Sequence, residues 1–248
     1  TFLGRAEIKE RASSVYTTTG APDTSEKYSH IPTDRIIQDM EALGWGVVDA
    51  KQVRARKGEG YQKHLVVFRN NDLFIEGADD DNVFPQILLT NSHDGKAAFN
   101  FRVGIFRLVC SNGLVISDAD FGVMSIRHIN YTFESLQARV AEMISKLPGL
   151  VQKINLFKSK TLTETQMNDF ATKAAALRTK KTVNIMDVLT PTRTEDQGND
   201  LWVVFNRVQE KILGGSYTSG GRKARSVKNF QKDIQLNEQL FELAESYL

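Results

Sequence analysis

The chain has one cysteine, Cys110, among its 248 residues, so no intramolecular disulfide can form, and a reducing, cytoplasmic setting is expected. It has no apolar run approaching the roughly 18–20 residues that span a bilayer, so no membrane partner is expected. Its N-terminus lacks an apolar segment, which argues against a secretory leader, and it begins at Thr1 without Met. It has almost no charge imbalance. Lys and Arg number 32 against 30 Asp and Glu, leaving +2, too little to infer a polyanionic ligand from global charge. Any such ligand must be held by local clusters. His-Glu-x-x-His, paired-cysteine, EF-hand and P-loop spacings are all absent, and neither a metal nor a cofactor is expected. Internal repeats are not apparent. What is present is a 41% hydrophobic fraction, ordinary for a globular protein and enough for a sizeable core.

Residues 1–32 are polar and rich in Ser, Thr and charge. They read as an N-terminal arm with at most a short helix near Arg5–Ser13. Residues 33–248 read as a single α+β domain, sheet-rich over 33–132 and helical over 133–248. Thr33 is placed as N-cap and Gly44 as C′ residue of a helix over Asp34–Leu43, where Ile36, Ile37, Met40 and Leu43 recur at helical spacing. Strands are predicted at Trp45–Arg56, Tyr61–Arg69, Phe84–Thr90 and Lys96–Val109, with shorter ones at Leu114–Ile116 and Met124–Ile129. In the first strand Val47, Val53 and Ala55 share one parity and Gln52, Arg54 and Arg56 the other. That alternation predicts one packed face and one wet, basic face.

From Phe133 the period is helical through Phe157, with a kink or break expected at Pro148-Gly149. Thr163-Glu164-Thr165-Gln166 is a capping box opening a second helix. Asn184–Leu189 reads as a short helix, Asn199 or Asp200 caps another, and a last one runs from about Lys228 to Tyr247. Strands precede helices, which predicts α+β: a curved antiparallel sheet packed by the long helix, with a C-terminal helical layer.

Two basic segments are candidate binding sites. Lys51, Arg54, Arg56 and Lys57 cluster on one strand and its turn; Lys63, His64 and Arg69 extend them on the partner strand. Cations neutralise phosphates, and Tyr61 among them offers a stacking face for an unpaired base. The competing reading is an edge strand protected by charge. The second segment, Gly214–Lys228, carries Arg222, Lys223, Arg225 and Lys228 without any acid. It reads either as a mobile phosphate-contacting loop, with Tyr217 available to stack, or as a disordered connector.

The turn Asn91-Ser92-His93-Asp94-Gly95 also has two readings. Asn91, His93 and Asp94 form a polar site, with His93 beside Asp94 as general base or ligand, or the segment is a hairpin turn built on Asp-Gly. Cys110 reads as a small buried hydrophobe, Trp202 and Phe205 as core, and Asp79–Asp81 as a solvated acidic loop.

The block NSHDGKAAFNFRVGIFRLVCSNGLV resembles the hallmark of the phage/plasmid-like protein family of unknown function. GWGVVDAKQVRARKGEGYQKHLVVF and LWVVFNRVQEKILGG resemble the same family's upstream strand pair and C-terminal part, so the likeness runs from about Ile31 to the end. It implies a mobile-element context and no catalytic residue set, so no active site is carried over. A helix, Gly-Trp, a basic hairpin sheet and a long helix are also similar in layout to Rad52-like single-strand annealing proteins, oligomeric rings holding single-stranded DNA in a basic groove.

Together these features lead to an expected function: sequence-independent single-stranded DNA binding or annealing in phage or plasmid recombination or maintenance. Single-stranded nucleic acid is then the partner, with a homo-oligomer and a host protein as further candidates. The alternatives are a protein-binding anti-defence or regulatory factor acting by occlusion, and an enzyme using the His93/Asp94 turn.

Overall fold

The computed structural model describes residues 1–18, 31–54, 60–74, 82–91, 99–107, 112–115, 124–126 and 131–248. Arg56, Lys57, Asp79–Asp81, His93, Asp94 and Cys110 lie outside the described residues. The protein is α+β, as expected, and forms two compact units. The first comprises Thr1–Leu114 with Ala119–Lys146, and the second Val115–Asp118 with Leu147–Leu248.

The first unit opens with α1 (Arg5–Arg11) and a 3-10 turn over Ser13–Tyr16. Helix α2 spans Thr33–Ala42. It stops because Gly44 takes φ +87°: the amides of Gly44 and Trp45 then bond the carbonyls of Glu41 and Met40, a Schellman closure. The strands are β1 (Gly46–Gln52), β2 (His64–Arg69), β3 (Val83–Asn91), β4 (Phe99–Arg107), β5 (Asn112–Val115) and β6 (Met124–Ile126). Strands β1 to β4 are successive antiparallel neighbours, β5 follows β4, and β6 pairs with Phe99–Phe101 of β4. Helix α3 (Phe133–Ser145) begins at Thr132, whose hydroxyl accepts from the Ser135 amide.

One sheet face is sealed. Val47, Ala50, Val66, Phe68, Ile87, Leu89, Phe101, Val103 and Ile105 all lie there, fully or almost fully buried. The N-terminal segment contributes to this unit's core more than its polarity suggests, because Ile8, Ala12 and Val15 are buried and the Leu3 amide bonds the Val47 carbonyl at 2.7 Å. Three apolar positions at i, i+4 and i+7 suffice to dock a short segment whose other side stays wet.

Two expectations about the sheet fail for identifiable reasons. Strand β2, whose His64 and Arg69 were expected to extend the basic cluster, has no wet face over His64–Phe68: all five residues are buried, and the Leu-Val-Val-Phe run is that of a strand covered on both sides. Strand β1 carries a bulge between Val47 and Asp49. The extra residue reverses the parity beyond it, so Val47, Ala50 and Gln52 share the sealed face while Lys51 takes the opposite one.

The second unit is helical: α4 (Leu147–Ser159), α5 (Glu164–Arg178), α6 (Ile185–Leu189), α7 (Leu201–Gly214) and α8 (Phe230–Glu245), with a ribbon β7 (Thr218–Ser219) and β8 (Arg222–Lys223). The helical stretch from Phe133, expected to kink or break at Pro148-Gly149, is two helices, with the break two residues earlier at Lys146. Pro148 thereby sits in the first turn of α4, where its missing N–H is harmless. Caps follow the sequence: Thr163 and Gln166 exchange bonds of 3.2 and 2.9 Å, and Asp200 accepts from the Val203 amide at 3.0 Å. Phe157, Phe205, Phe241 and Trp202 form the aromatic centre, with Phe157 stacked on Phe241 at 5.3 Å. Arg207 is buried, and its guanidinium donates to the carbonyls of Leu189, Asp196 and Gly198, closing the loop before α7 onto that helix.

Candidate functional site

The basic segment after α7 is a built structure. Helix α7 ends at Gly215, φ +84°, where a side chain would meet the Ala224 carbonyl oxygen at 2.5 Å, so only glycine fits. Tyr217 is buried, and the Arg178 guanidinium lies 5.7 Å from its ring while donating to the carbonyls of Ile212 and Arg225. Strands β7 and β8 then pair Thr218 with Lys223 and Ser219 with Arg222 around Gly220 and Gly221, φ +56° and +74°. Two successive positive φ values make the tight hairpin turn that glycine pairs favour.

The segment before α6 completes this ribbon. Val183 bridges Ser219, the Asn184 amide bonds the Thr218 carbonyl at 2.9 Å, and the Gly220 amide bonds the Thr182 carbonyl at 2.8 Å. Asp187 accepts from the Thr218 amide at 2.8 Å, and Thr218's hydroxyl and amide hold its carboxyl below the usual range. That carboxylate therefore anchors the ribbon. The stem of Lys181 crosses the turn, 3.0 Å from where a Gly220 Cβ would sit. Lys180, Lys181, Arg222, Lys223 and Arg225 are exposed, and among the described residues no salt bridge engages any of them. The result is a set of unneutralised cations on fixed backbone.

The first unit contains a buried polar chain. Asn91 Nδ2 donates to Thr33 Oγ1 at 2.8 Å, Thr33 Oγ1 is 2.7 Å from His64 Nε2, and His64 Nδ1 is 3.0 Å from Ser14 Oγ. Both the amide and the hydroxyl of Ser14 donate to Gln52 Oε1, at 3.0 and 2.9 Å. A backbone N–H only donates, so that Gln52 atom is the oxygen, and Ser14's proton is committed to it. His64 therefore carries its proton on Nδ1 and accepts from Thr33 at Nε2. Burial pushes the imidazole pKa down to about 4, so it is neutral. His64 is thus no part of a cationic patch.

A family described as a domain of unknown function, DUF932, matches residues 23–241. The chain belongs to that family. Two Escherichia coli (strain K12) proteins, UPF0380 protein YfjQ and UPF0380 protein YafZ, are each 29% identical to it over 256 residues, covering 99% of this chain and 92% of theirs. No solved structure matches it. The resemblance read from the central block thus holds at the level of a family without an assigned activity.

Within this DUF932 chain the sequence-derived site residues belong to two different units. Lys51, Arg54, Tyr61 and Lys63 belong to the first unit, and Arg222, Lys223 and Arg225 to the second. Lys51 pairs with Asp49 at 3.1 Å, and Asp49 also holds Arg11 at 3.2 Å, so an acid sits inside the first cluster. Arg54 and Lys63 are exposed and Tyr61 is half-buried. Asn91 is buried in the His64 chain. Tyr217 is an anchor and cannot stack on a ligand, and the loop bearing it is paired along its length rather than a connector. Sequence reading missed Lys180 and Lys181, which reach the ribbon through Val183 and Thr182, a pairing that no local pattern announces. Among the described residues no three His, Cys, Asp or Glu side chains group to hold a metal ion, and no helix is long and apolar enough to cross a membrane.

Proposed function

We propose that this protein binds nucleic acid without regard to sequence, single-stranded DNA above all, in recombination or maintenance of a mobile element. The supporting observation is the β7–β8 ribbon, where Lys181, Arg222, Lys223 and Arg225 are exposed without a salt bridge around a β7 strand that is paired on both edges. Cations held this way meet phosphates without first being released from salt bridges, and ordering costs little because the ribbon is already formed. The Gly-Gly turn keeps the ribbon narrow, so a backbone can pass close to it.

The test is fluorescence anisotropy of a labelled oligothymidylate at several salt concentrations between about 50 and 200 mM. Binding should weaken steeply with salt, and the triple variant Arg222→Gln/Lys223→Gln/Arg225→Gln should lower the log–log slope by about 2, roughly 0.7 for each lost phosphate contact. An unchanged slope in that variant, or a flat salt response in the wild type, overturns the reading.

A further inference from the structure

The sheet face opposite the sealed one is chemically different. Arg69 ends β2, Phe84 lies on β3 and Phe106 on β4; Phe84 is directly opposite Phe106, and Arg69 is opposite Gln86, two residues from Phe84. The Arg69 guanidinium lies over Phe106 at 4.4 Å and 5.4 Å from Phe84. Phe84 in turn lies 6.1 Å from Phe74, a ring 49% exposed in the loop after β2. Four flat groups therefore adjoin one another: Phe106, Arg69, Phe84 and Phe74. Arg69 Nε is buried and has no hydrogen-bond partner.

We infer that this arginine–aromatic cluster is a base-stacking site for single-stranded nucleic acid, a deepening that rests on the reading proposed above. An unpaired base has the two features the cluster is short of. Its π-face covers Phe74, which otherwise meets water, and stacks against guanidinium planes and aromatic rings alike. Its ring carbonyl supplies an in-plane acceptor to the arginine fork. An apolar peptide side chain would cover the rings but bring no acceptor to the half-buried guanidinium. A duplex cannot use the site, because its bases are already stacked on one another. The cluster thus gives preference for unpaired strands, which phosphate contacts alone cannot give.

The experiment compares, on the full chain, oligothymidylate with an abasic oligonucleotide of equal phosphate number, by anisotropy at fixed salt. The wild type should bind the base-bearing strand about tenfold more tightly or better. Phe74→Leu, which keeps apolar bulk and loses the aromatic face, should shrink that gap severalfold with the salt slope unchanged and an unaltered circular dichroism spectrum. The ribbon variant should lose affinity for both strands and keep the gap. Equal wild-type binding of the two strands, or a full gap in Phe74→Leu, overturns stacking and leaves phosphate binding standing. No binding of either strand at low salt overturns both.

Discussion

His64 makes stability depend on pH in a way that can be isolated. Its imidazole is fully buried; besides the contacts to Ser14 and Thr33, its Nδ1 lies 3.2 Å from the Gln62 carbonyl oxygen, and these three groups are uncharged. Its pKa falls from the ordinary 6.5 to about 4. In the unfolded chain it takes up a proton near 6.5; in the folded protein it resists until about 4. A depressed folded-state pKa means that the stabilisation is complete above pH 7 and is lost as pH falls from about 6.5 to about 4. The full effect is about 3 kcal/mol, of which about 2 kcal/mol is gone by pH 5. Urea denaturation at pH 7.5 and pH 5 measures it, with His64→Gln as comparison, since glutamine bonds its neighbours without titrating. All other groups titrate in both proteins, so the difference between their pH dependences isolates the imidazole. The wild type should lose about 2 kcal/mol more than His64→Gln over this interval. Equal losses would refute the assignment of a buried neutral histidine.

Thr33→Val removes the acceptor of Asn91 Nδ2 and the donor to His64 at nearly constant shape, and should lower stability by about 2 kcal/mol in the same assay, whereas Thr33→Ser should retain most of it. Gly215→Ala places a methyl 2.5 Å from the Ala224 carbonyl oxygen at φ +84°, so a loss of about 1–3 kcal/mol is expected by thermal denaturation. An unchanged midpoint would show that the ribbon shifts freely. Asp200→Ala deletes the 3.0 Å cap on the Val203 amide and should lower stability by about 1 kcal/mol, with Asp200→Ser close to wild type.

The features legible in the sequence are those set within a few residues. Gly44 closing α2, the Thr163–Gln166 capping box, a short helix ending at Leu189 and a break near Pro148 depend on neighbours in the chain, and the structure has each of them. The features that escaped depend on partners remote in sequence. Thr33 has the chemistry of an N-cap, but its hydroxyl serves His64 and Asn91, and Pro32 occupies the capping position. His64 looks cationic beside Lys63 until Ser14 and Thr33, both remote in sequence, meet its two ring nitrogens in the interior. Tyr217 looks available in a Gly/Ser-rich loop until Arg178, far back on α5, lies against it. Of the candidate cations, Arg222, Lys223 and Arg225 were readable because charge and turn residues adjoin there. Lys181 was not, because its place beside Gly220 comes from a bridge between Val183 and Ser219.

The additional residue in β1 acts as a phase shifter. Upstream and downstream of Val48 the strand obeys opposite odd–even rules, so any comparison of relatives by hydrophobic alternation inverts inside from outside unless that residue is counted. A homologue with a one-residue gap there would present the counterpart of Gln52 to solvent and turn the counterpart of Lys51 inward. Deleting Val48 by mutagenesis is therefore a frameshift in three dimensions: composition barely changes, yet every later side chain of the edge strand changes sides.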